Sequence, residues 1–384
     1  MERYTELDRL LEFMEKNIDP AHMARVEKLQ YDAINFHEID RIPLTICTAP
    51  EGFRPIPLEQ AYHNPEKMLY NEILSSTTHS SYNSVRMKDD SPLMIRSNHG
   101  IGIIASLFGC KSTIFNDQMP WVAHISLSEA KKAFSNGVPE LDCELGRVVV
   151  ETCMYYRERL KEYPRCTRWI RITQPDLQGP YDILHLIVGS EAFMLPLDDP
   201  ALASHMVDVI ADTYIAYRKF IDPYLNDSYG GDATFVHGYC IGGKVLLKAD
   251  TGTANLSPEM YILYEGIPGM KIIRAFEDSG GGSLHYCGGP KKWHNSVIFS
   301  EKLGCLNFGN PEMHDLSHEY SCLKEKKVAI VGWGNTQEYP DVRKAFMTGD
   351  RGEPVKTGLT LMSMADDIEQ GKRILDSHRA LSDS

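Results

Sequence analysis

Residues 280–289 have the sequence Gly-Gly-Gly-Ser-Leu-His-Tyr-Cys-Gly-Gly, in which a β-type run, Ser283–Cys287, lies between two glycine clusters. His285 and Cys287 stand two positions apart, so on a strand both side chains point to the same face. The glycines allow backbone, substrate or metal to approach closely. In α/β barrels the reacting groups lie at the carboxyl ends of the strands and in the loops that follow. The stretch therefore predicts a barrel strand that ends in functional side chains.

Similar β-type runs recur along the chain and alternate with longer helical patterns. Alternation of this kind predicts βαβ units and a parallel sheet. Eight such runs, with helices in most of the gaps, predict one closed (β/α)8 TIM barrel. The second run has a competitor, because Ile101–Leu107 would also serve as a strand. The predicted strands are Ile42–Cys47, Leu93–Arg96, Trp169–Thr173, Thr234–Tyr239, Ser283–Cys287, Cys305–Phe308, Val328–Trp333 and Gly358–Leu361.

The chain divides into two predicted parts. Residues 1–38 form an N-terminal helical extension, since apolar residues recur at helical spacing from Tyr4 to about Phe36. Residues 39–384 form the barrel. The segment Ser97–Asp142 is too long for one connection, so we expect it to hold an excursion that covers the barrel mouth, or an extra hairpin.

Composition excludes several classes of function. The chain has 384 residues and a formal net charge of −13, and an acidic surface of that size disfavours nucleic acid as a partner. The N-terminus lacks an apolar core of signal-peptide length, and no apolar run is long enough to span a membrane. The nine cysteines are an odd and scattered set, which is typical of reduced thiols. We therefore expect a cytoplasmic protein, with a homodimer left open.

The first candidate site is the pair His285 and Cys287. Imidazole nitrogen and thiolate are natural zinc ligands, and both would point into the barrel mouth. The alternative is a buried cysteine beside a hydrogen-bonded histidine.

A second candidate site follows the fourth predicted strand. His237 and Tyr239 would share a face at its end, and Asp250 closes the next apolar run. A carboxylate there would hold a substrate amine, orient a ligand or act as a base. The alternative is that Asp250 only caps a turn, as Asp before Thr-Gly often does.

Weaker candidates lie after three other strands. Gln174, Asp176 and Tyr181 follow the third strand and would bind substrate through hydrogen bonds, unless that loop only turns the chain into a helix. Asn307 and Trp333 lie in mouth loops and would contact substrate, or would be ordinary turn residues. No complete phosphate-binding G-x-x-x-x-G-K-[ST] motif and no G-x-S-x-G elbow occurs.

Taken in order, several of these segments resemble the uroporphyrinogen decarboxylase superfamily. The resemblance extends from about Ile39 to the C-terminus, and it depends on the ordered set rather than on any single motif. The matching segments are Arg41-Ile42-Pro43-Leu44, Gln178-Gly179-Pro180-Tyr181, Ala249-Asp250, Leu256-Ser257-Pro258-Glu259 and His285-Tyr286-Cys287-Gly288.

The resemblance implies a (β/α)8 barrel of one of two branches. One branch decarboxylates the acetate arms of uroporphyrinogen without a cofactor, and the other moves methyl groups between a corrinoid protein and another acceptor, often with zinc. The decarboxylase branch carries an arginine-rich stretch after the first strand. Here the matching stretch, Thr48–Arg54, offers only Arg54, whereas a substrate with many carboxylates needs several bidentate arginines.

The H-x-C-G segment resembles the methyltransferase branch. In that branch His285 and Cys287 would match two zinc ligands, and a cysteine near the end of the last strand would be the third. This chain has no cysteine after Cys322. Either the site works without metal, or the third ligand is one of Asp250, Glu301 and Cys240.

Three hypotheses follow. The leading one is zinc-assisted transfer of a methyl group between a small substrate and a corrinoid protein, with Asp250 and His237 orienting substrate or moving a proton. The second is a metal-free decarboxylase of a smaller acid, in which Asp250 stabilises a protonated intermediate and Arg54 or Arg96 holds the carboxylate. The third is a barrel that binds a corrinoid or tetrapyrrole without turnover.

Overall fold

A computed structural model describes residues 4–75, 79–115, 118–289, 303–334 and 355–382 of the chain. They form a mixed α/β structure, as the alternation of elements predicted. Among these residues no helix has both the length and the apolar character that a membrane crossing requires.

The N-terminal helical region consists of two helices, α1 (Thr5–Asn17) and α2 (Pro20–Ile34). The break between them follows from the sequence. Asp19 caps α2 by accepting hydrogen bonds from the backbone N–H groups of Ala21 and His22, and Pro20 occupies the first helical position. Leu7, together with other apolar residues at helical spacing, buries one face of α1 in the main hydrophobic core.

Two parallel sheets carry the site. Their eight strands are β1 (Leu44–Cys47), β2 (Met94–Arg96), β5 (Arg171–Thr173), β9 (Val245–Lys248), β10 (Gly282–Tyr286), β11 (Cys305–Phe308), β12 (Ala329–Trp333) and β13 (Leu359–Met364). The larger sheet has the order β1-β13-β12-β11-β10-β9, and the smaller pairs β2 with β5. Seven of the eight predicted strands are present within the described residues, and Ile101–Leu107 is mostly helical.

The fourth predicted strand, Thr234–Tyr239, is wrong. Residues of this segment form an antiparallel hairpin of β7 (Ala233–Val236) and β8 (Tyr239–Gly242), preceded by the short β6 (Ser228–Tyr229). The parallel strand at that place in the order is β9, which the sequence presents only as a short apolar run. Gly238 lies in the two-residue turn between β7 and β8. Glycine weakens a continuous strand but suits a tight turn of this kind, so its presence was a sign of the hairpin.

Hairpin β7–β8 lies against strands of both parallel sheets. The Thr45 hydroxyl of β1 donates to the Gly238 carbonyl at 3.4 Å, and Gly238 N–H donates to Met94 Sδ of β2 at 3.0 Å. At the other end of the hairpin, Gly242 N–H donates to Cys305 Sγ of β11 at 3.1 Å. Hairpin residues share a second buried apolar cluster with β2, β9, β11 and β12.

The segment Ser97–Asp142 contains an extra hairpin, as one of the two expectations had it. Strands β3 (Lys111–Thr113) and β4 (Trp121–Ala123) pair antiparallel between helices α6 (Ile103–Leu107) and α7 (Leu127–Phe134). Helix α7 begins with a capping box, in which Ser126 and Glu129 satisfy each other's backbone N–H groups.

The remaining helices pack against the strands and against one another and supply most of the main apolar core. A π-helical turn, Ile262–Gly266, interrupts the helical region after β9. The helices are α3 (Leu58–Tyr62), α4 (Pro65–Leu74), α5 (Ser81–Met87), α8 (Glu144–Leu160), α9 (Pro164–Trp169), α10 (Pro180–Val188), α11 (Glu191–Asp198), α12 (Pro200–Ile221), α13 (Asp250–Asn255), α14 (Pro258–Tyr261), α15 (Ile267–Arg274), α16 (Leu316–Glu325) and α17 (Ile368–Ser382).

Candidate metal centre

Asp250, His285 and Cys287 converge at the carboxyl ends of β9 and β10 and are named the triad below. One ligand atom from each lies within 4.8 Å of the others. His285 Nε2 is 3.6 Å from Cys287 Sγ and 3.7 Å from Asp250 Oδ1. The last distance is too long for a hydrogen bond, so the carboxylate and the imidazole approach without satisfying each other.

The two strands hold the triad in place through backbone contacts. His285 lies opposite Lys248 in the β9–β10 register, and Ala249 N–H donates to the His285 carbonyl at 2.9 Å. Cys287 N–H donates to Asp250 Oδ1 at 2.6 Å, which ties the end of β10 to the start of α13. The Asp250 carboxylate therefore fixes the backbone of Cys287 and also lies beside the Cys287 thiol.

Asn307 determines which nitrogen of His285 faces the triad. Its Nδ2 donates to the Val331 carbonyl at 2.6 Å, and a carbonyl can only accept, so its Oδ1 is the atom that lies 2.5 Å from His285 Nδ1. Nδ1 must then carry the proton. The lone pair of His285 is left on Nε2, the nitrogen that faces Asp250 and Cys287.

The electrostatics of the triad disfavour a thiolate in the bare protein. Partial burial, with the charge of Asp250, raises the pKa of Cys287 to about 11. Burial and the positive charge of Lys248 lower the pKa of His285, which keeps the imidazole neutral. Cys287 is exposed, so a ligand can reach its sulfur. A cation among the three atoms would offset the negative charges and favour the metal-binding thiolate.

A buried group of charges, named the ion array below, lies beside the triad. Asp176 accepts from Lys248 Nζ at 2.6 Å and pairs with Arg96 Nη1 at 3.4 Å. Burial raises the pKa of Asp176, but the larger combined effect of the two cations holds the pKa of this carboxyl well below its usual range. Lys248 precedes Asp250 by two residues, so the ion array adjoins the triad along β9.

The tip of hairpin β7–β8 points a histidine at the ion array. His237 and Gly238 have φ values of 53° and 90° between the paired residues of the hairpin, as in a type I′ turn. Burial and the charges of Lys248 and Arg96 hold the pKa of His237 well below its usual range, so its ring is neutral. A Cβ at Gly238 would lie 3.1 Å from the ring of the buried His79, so glycine allows this close approach.

The structure separates the predicted site residues into groups. The triad contains Asp250, His285 and Cys287, the ion array contains Asp176, and Asn307 contacts the triad. His237 and Tyr239 do not share a strand face: His237 is in the turn, and Tyr239 begins β8 and is buried against Gly332.

Four other predicted residues are not brought to the triad. Tyr181 is fully buried, and its hydroxyl donates to the Ala192 carbonyl in the helical layer. Trp333 packs edge-on against Phe308 with ring centroids 5.3 Å apart. Gln174 is buried at the end of β5. Cys240 is enclosed in the second apolar cluster, and Glu301 lies outside the described residues.

Sequence reasoning gave no role to Lys248, His79 or Asp182. Asp182 accepts from Thr251 N–H at 2.9 Å, and burial, with the charge of Asp250, raises its pKa to about 7. Its position two residues into helix α10 resembles an ordinary acidic N-terminal turn. Lys248 carried a usable signal, because a lysine at the end of an apolar run marks a strand end.

No known family model matches the chain, and no curated protein matches it. The resemblance to the uroporphyrinogen decarboxylase superfamily therefore stays a prediction. Function is inferred from the geometry of the triad and its surroundings.

Proposed function

We propose that the chain is a methyltransferase that moves a methyl group between a small substrate and a corrinoid carried by a partner protein, with zinc held by the triad. The observation that carries the proposal is the convergence of one oxygen, one nitrogen and one sulfur ligand atom within 4.8 Å. Asp250 takes the place of the third ligand that the sequence lacks as a cysteine.

The fold part of the proposal is a closed (β/α)8 barrel. The two parallel sheets contain eight strands in the chain order that such a barrel requires. Asp90 supports closure between β1 and β2, because its carboxylate accepts from Leu44 N–H at 3.1 Å and its N–H donates to the Leu44 carbonyl at 3.1 Å. Hairpin β7–β8 would then fill the barrel interior, since it contacts strands of both sheets.

The donor set of the triad fits zinc. Zinc accepts Cys sulfur, His nitrogen and carboxylate oxygen, and catalytic zinc sites have three protein ligands and one open position. His285 already presents Nε2, because Asn307 holds the proton on Nδ1. Hydrogen-bond partners of this kind fix the orientation of the ligand in many metal sites. When bound, zinc would supply Lewis-acid polarisation of the methyl-bearing heteroatom.

Methyl transfer breaks one bond to the methyl carbon and forms another. The bond between the methyl carbon and its heteroatom breaks, its electron pair stays on the heteroatom, and a proton is taken up there. The partner's reduced corrinoid would be the methyl acceptor and would supply the electron pair of the new bond to carbon. Lys248 lies beside the triad, where its positive charge, already paired with Asp176, would help to keep the His285 imidazole neutral and able to bind the metal.

The other residues near the triad would orient the substrate. His237 is neutral at the hairpin tip, so it offers the substrate a hydrogen-bonding ring without a charge. Asp176 keeps Lys248 and Arg96 in place rather than reacting, because both of its oxygens are engaged by cations. Cys287 is exposed, which leaves the triad accessible to a large methyl acceptor.

The test is methyl transfer to free cob(I)alamin from an aryl methyl ether, a methylated amine and a methyl thioether. Loss of the Co(I) absorbance reports the reaction. We expect transfer from one donor class by the natural protein and by Cys322→Ala, a matched control thiol outside the triad. We expect none with Cys287→Ala.

Two results would contradict the proposal and support its alternatives. Release of carbon dioxide from a small acid, unaffected by chelators and by Cys287→Ala, would indicate the metal-free decarboxylase. Binding of the corrinoid without turnover of any donor would indicate a binding barrel.

A further inference from the structure

A cavity of about 450 Å³ lies apart from the triad. Its walls come from the segment 55–58, helices α3 and α4, Asn98 after β2, and described residues of the loop that joins β3 to β4. The volume is within the range of small-molecule sites, which are mostly apolar with a few placed polar groups. None of the triad residues lines it.

Contacts within the protein hold one wall of this cavity in place. The Asn71 amide accepts from Ile56 N–H and donates to the Ile56 carbonyl, both at 2.8 Å. The Tyr70 hydroxyl donates to the Arg54 carbonyl at 3.1 Å. These three bonds attach the segment after β1 to helix α4, so this wall is formed before any ligand arrives.

Two glycines hold the opposite wall. A Cβ at Gly100, where φ is +75°, would lie 3.2 Å from the Pro120 side chain. A Cβ at Gly102 would lie 2.4 Å from Val122 Cγ2, so hairpin β3–β4 packs directly on the glycine backbone. Larger residues at either position would push the hairpin away. The cavity is therefore preformed on both sides.

The charge in the described cavity wall is negative only. Among its described lining residues there is no lysine, arginine or histidine, and the only carboxylate is Glu72. Glu72 is buried and accepts from Arg96 N–H at 3.1 Å and from Asn98 Nδ2 at 2.9 Å. An anion here would meet a carboxylate with no cation in the cavity wall. The cavity therefore disfavours anionic ligands.

The apolar part of the lining suits a flat or compact hydrocarbon body. Tyr62 supplies an aromatic ring, and Met68 and Met119 supply polarisable thioethers that adapt to ligand shape. Asn98 lies at the polar end, where its side chain contacts both Glu72 and Arg96 Nη2. Through Arg96 this end of the cavity adjoins the ion array.

We propose that this cavity binds a small neutral or cationic molecule with an aromatic or similar apolar body and one hydroxyl or amine group. The polar group lies toward Asn98 and Glu72, and the apolar body lies among Tyr62, Met68 and Met119. The proposal does not depend on the zinc site or on methyl transfer, because no triad residue contributes to the cavity.

The experiment uses three probes of one shape and different charge: benzyl alcohol, benzylamine and benzoate. Ligand-observed NMR on the full chain measures their binding. Benzyl alcohol and benzylamine are expected to bind at least about tenfold more tightly than benzoate. Ala61→Phe, which fills the cavity from α3, should abolish binding of all three.

Two further variants change the charge at Met119, which is 43% exposed, so neither buries a charge in the core. Met119→Lys should weaken benzylamine and strengthen benzoate, whereas Met119→Glu should do the opposite. Met154→Lys, at an exposed methionine that does not line the cavity, is the matched control and should change neither. Equal binding of the three probes, no binding of benzyl alcohol, or no response to the Met119 charge would overturn the proposal. The same measurements on Cys287→Ala should give unchanged binding, so failure of the zinc site would not be mistaken for failure here.

Discussion

The triad and the ion array adjoin each other along β9, yet the side chains of the ion array are tightly paired and nearly buried, whereas those of the triad are farther apart and partly exposed. In the ion array, Asp176 lies 2.6 Å from Lys248 and 3.4 Å from Arg96, and all three side chains are nearly buried. In the triad, His285 lies 3.6 and 3.7 Å from the sulfur and oxygen of its neighbours, and the Asp250 side chain is 34% exposed.

This difference in pairing and exposure indicates different roles for the ion array and the triad. Charges that saturate one another inside a protein position neighbouring groups and have nothing left to offer a ligand. Ligand atoms that converge at 3.6–3.7 Å, with only a weak thiol–imidazole hydrogen bond between them, and that solvent can reach, leave room for an ion. We therefore assign structure and positioning to the ion array, and chemistry to the triad.

The largest expected effect separates activity from stability at the triad. His285→Ala should abolish methyl transfer, a loss of at least about a thousandfold, because it removes the nitrogen ligand. Its free energy of unfolding, measured in urea on metal-free protein, should fall by only about 1–3 kcal/mol, because the buried Asn307 loses one hydrogen-bond partner. His63→Ala, at an exposed histidine, is the control and should retain activity. A His285→Ala protein that is active but unstable would reverse the assignment.

The ion array should respond in the opposite way. Asp176→Ala leaves two buried cations uncompensated, so we expect a loss of about 3–5 kcal/mol in the free energy of unfolding. Glu158→Ala removes one partner of an exposed ion pair with Lys161 and should cost less than about 1 kcal/mol. Chemical denaturation of both variants checks this. A cost at Asp176 no greater than at Glu158 would contradict a structural role for the array.

The pH dependence of stability tests the environment of His79, which lies against Gly238 at the tip of hairpin β7–β8. Burial and the charge of Arg96 lower the pKa of His79 to about 4. The unfolded chain protonates this histidine near pH 6.5. Between these values the unfolded state binds more protons, so the free energy of unfolding falls as pH falls, by about 3 kcal/mol for this group. His79→Leu should reduce that slope, whereas His63→Leu should leave it unchanged. An unaltered slope in His79→Leu would show that His79 does not carry this pH dependence.

The smallest expected effect concerns the residue that orients His285. Asn307→Leu removes the acceptor of the Nδ1 proton at nearly the same volume, and we expect zinc affinity to fall about 10–100-fold. Asn307→Asp retains an acceptor oxygen and should keep affinity close to that of the natural protein. Competition with a chromophoric chelator measures both. Equal affinities for the two variants would mean that Asn307 does not fix the histidine.

The sequence predicted the parallel strands and the His285–Cys287 pair because both depend on local pattern. Period-two spacing places the two side chains on one face, wherever the strand lies in the fold. Asp250 was a candidate, but only the pairing of β9 with β10 brings its carboxylate beside the thiol. That pairing is a long-range contact which no local pattern encodes.

The main error, at hairpin β7–β8, has a physical cause. Thr234–Val236 is rich in residues that favour strands, and the two-residue turn at His237 and Gly238 was hidden because such turns usually begin with Asn, Asp or Gly rather than histidine. The Asp176 ion array was missed for a different reason. Its three members come from three separate strands or loops, so only the assembled sheets show that they are paired.

Metal content of the purified protein, prepared without a histidine tag, is the most direct test of the claim that the triad is a zinc site. The natural protein and Cys322→Ala should each contain about one zinc ion per chain, and the double variant His285→Ala, Cys287→Ala should contain none. Absence of zinc from the natural protein after zinc-supplemented growth and gentle purification, or its retention by the double variant, would contradict the account.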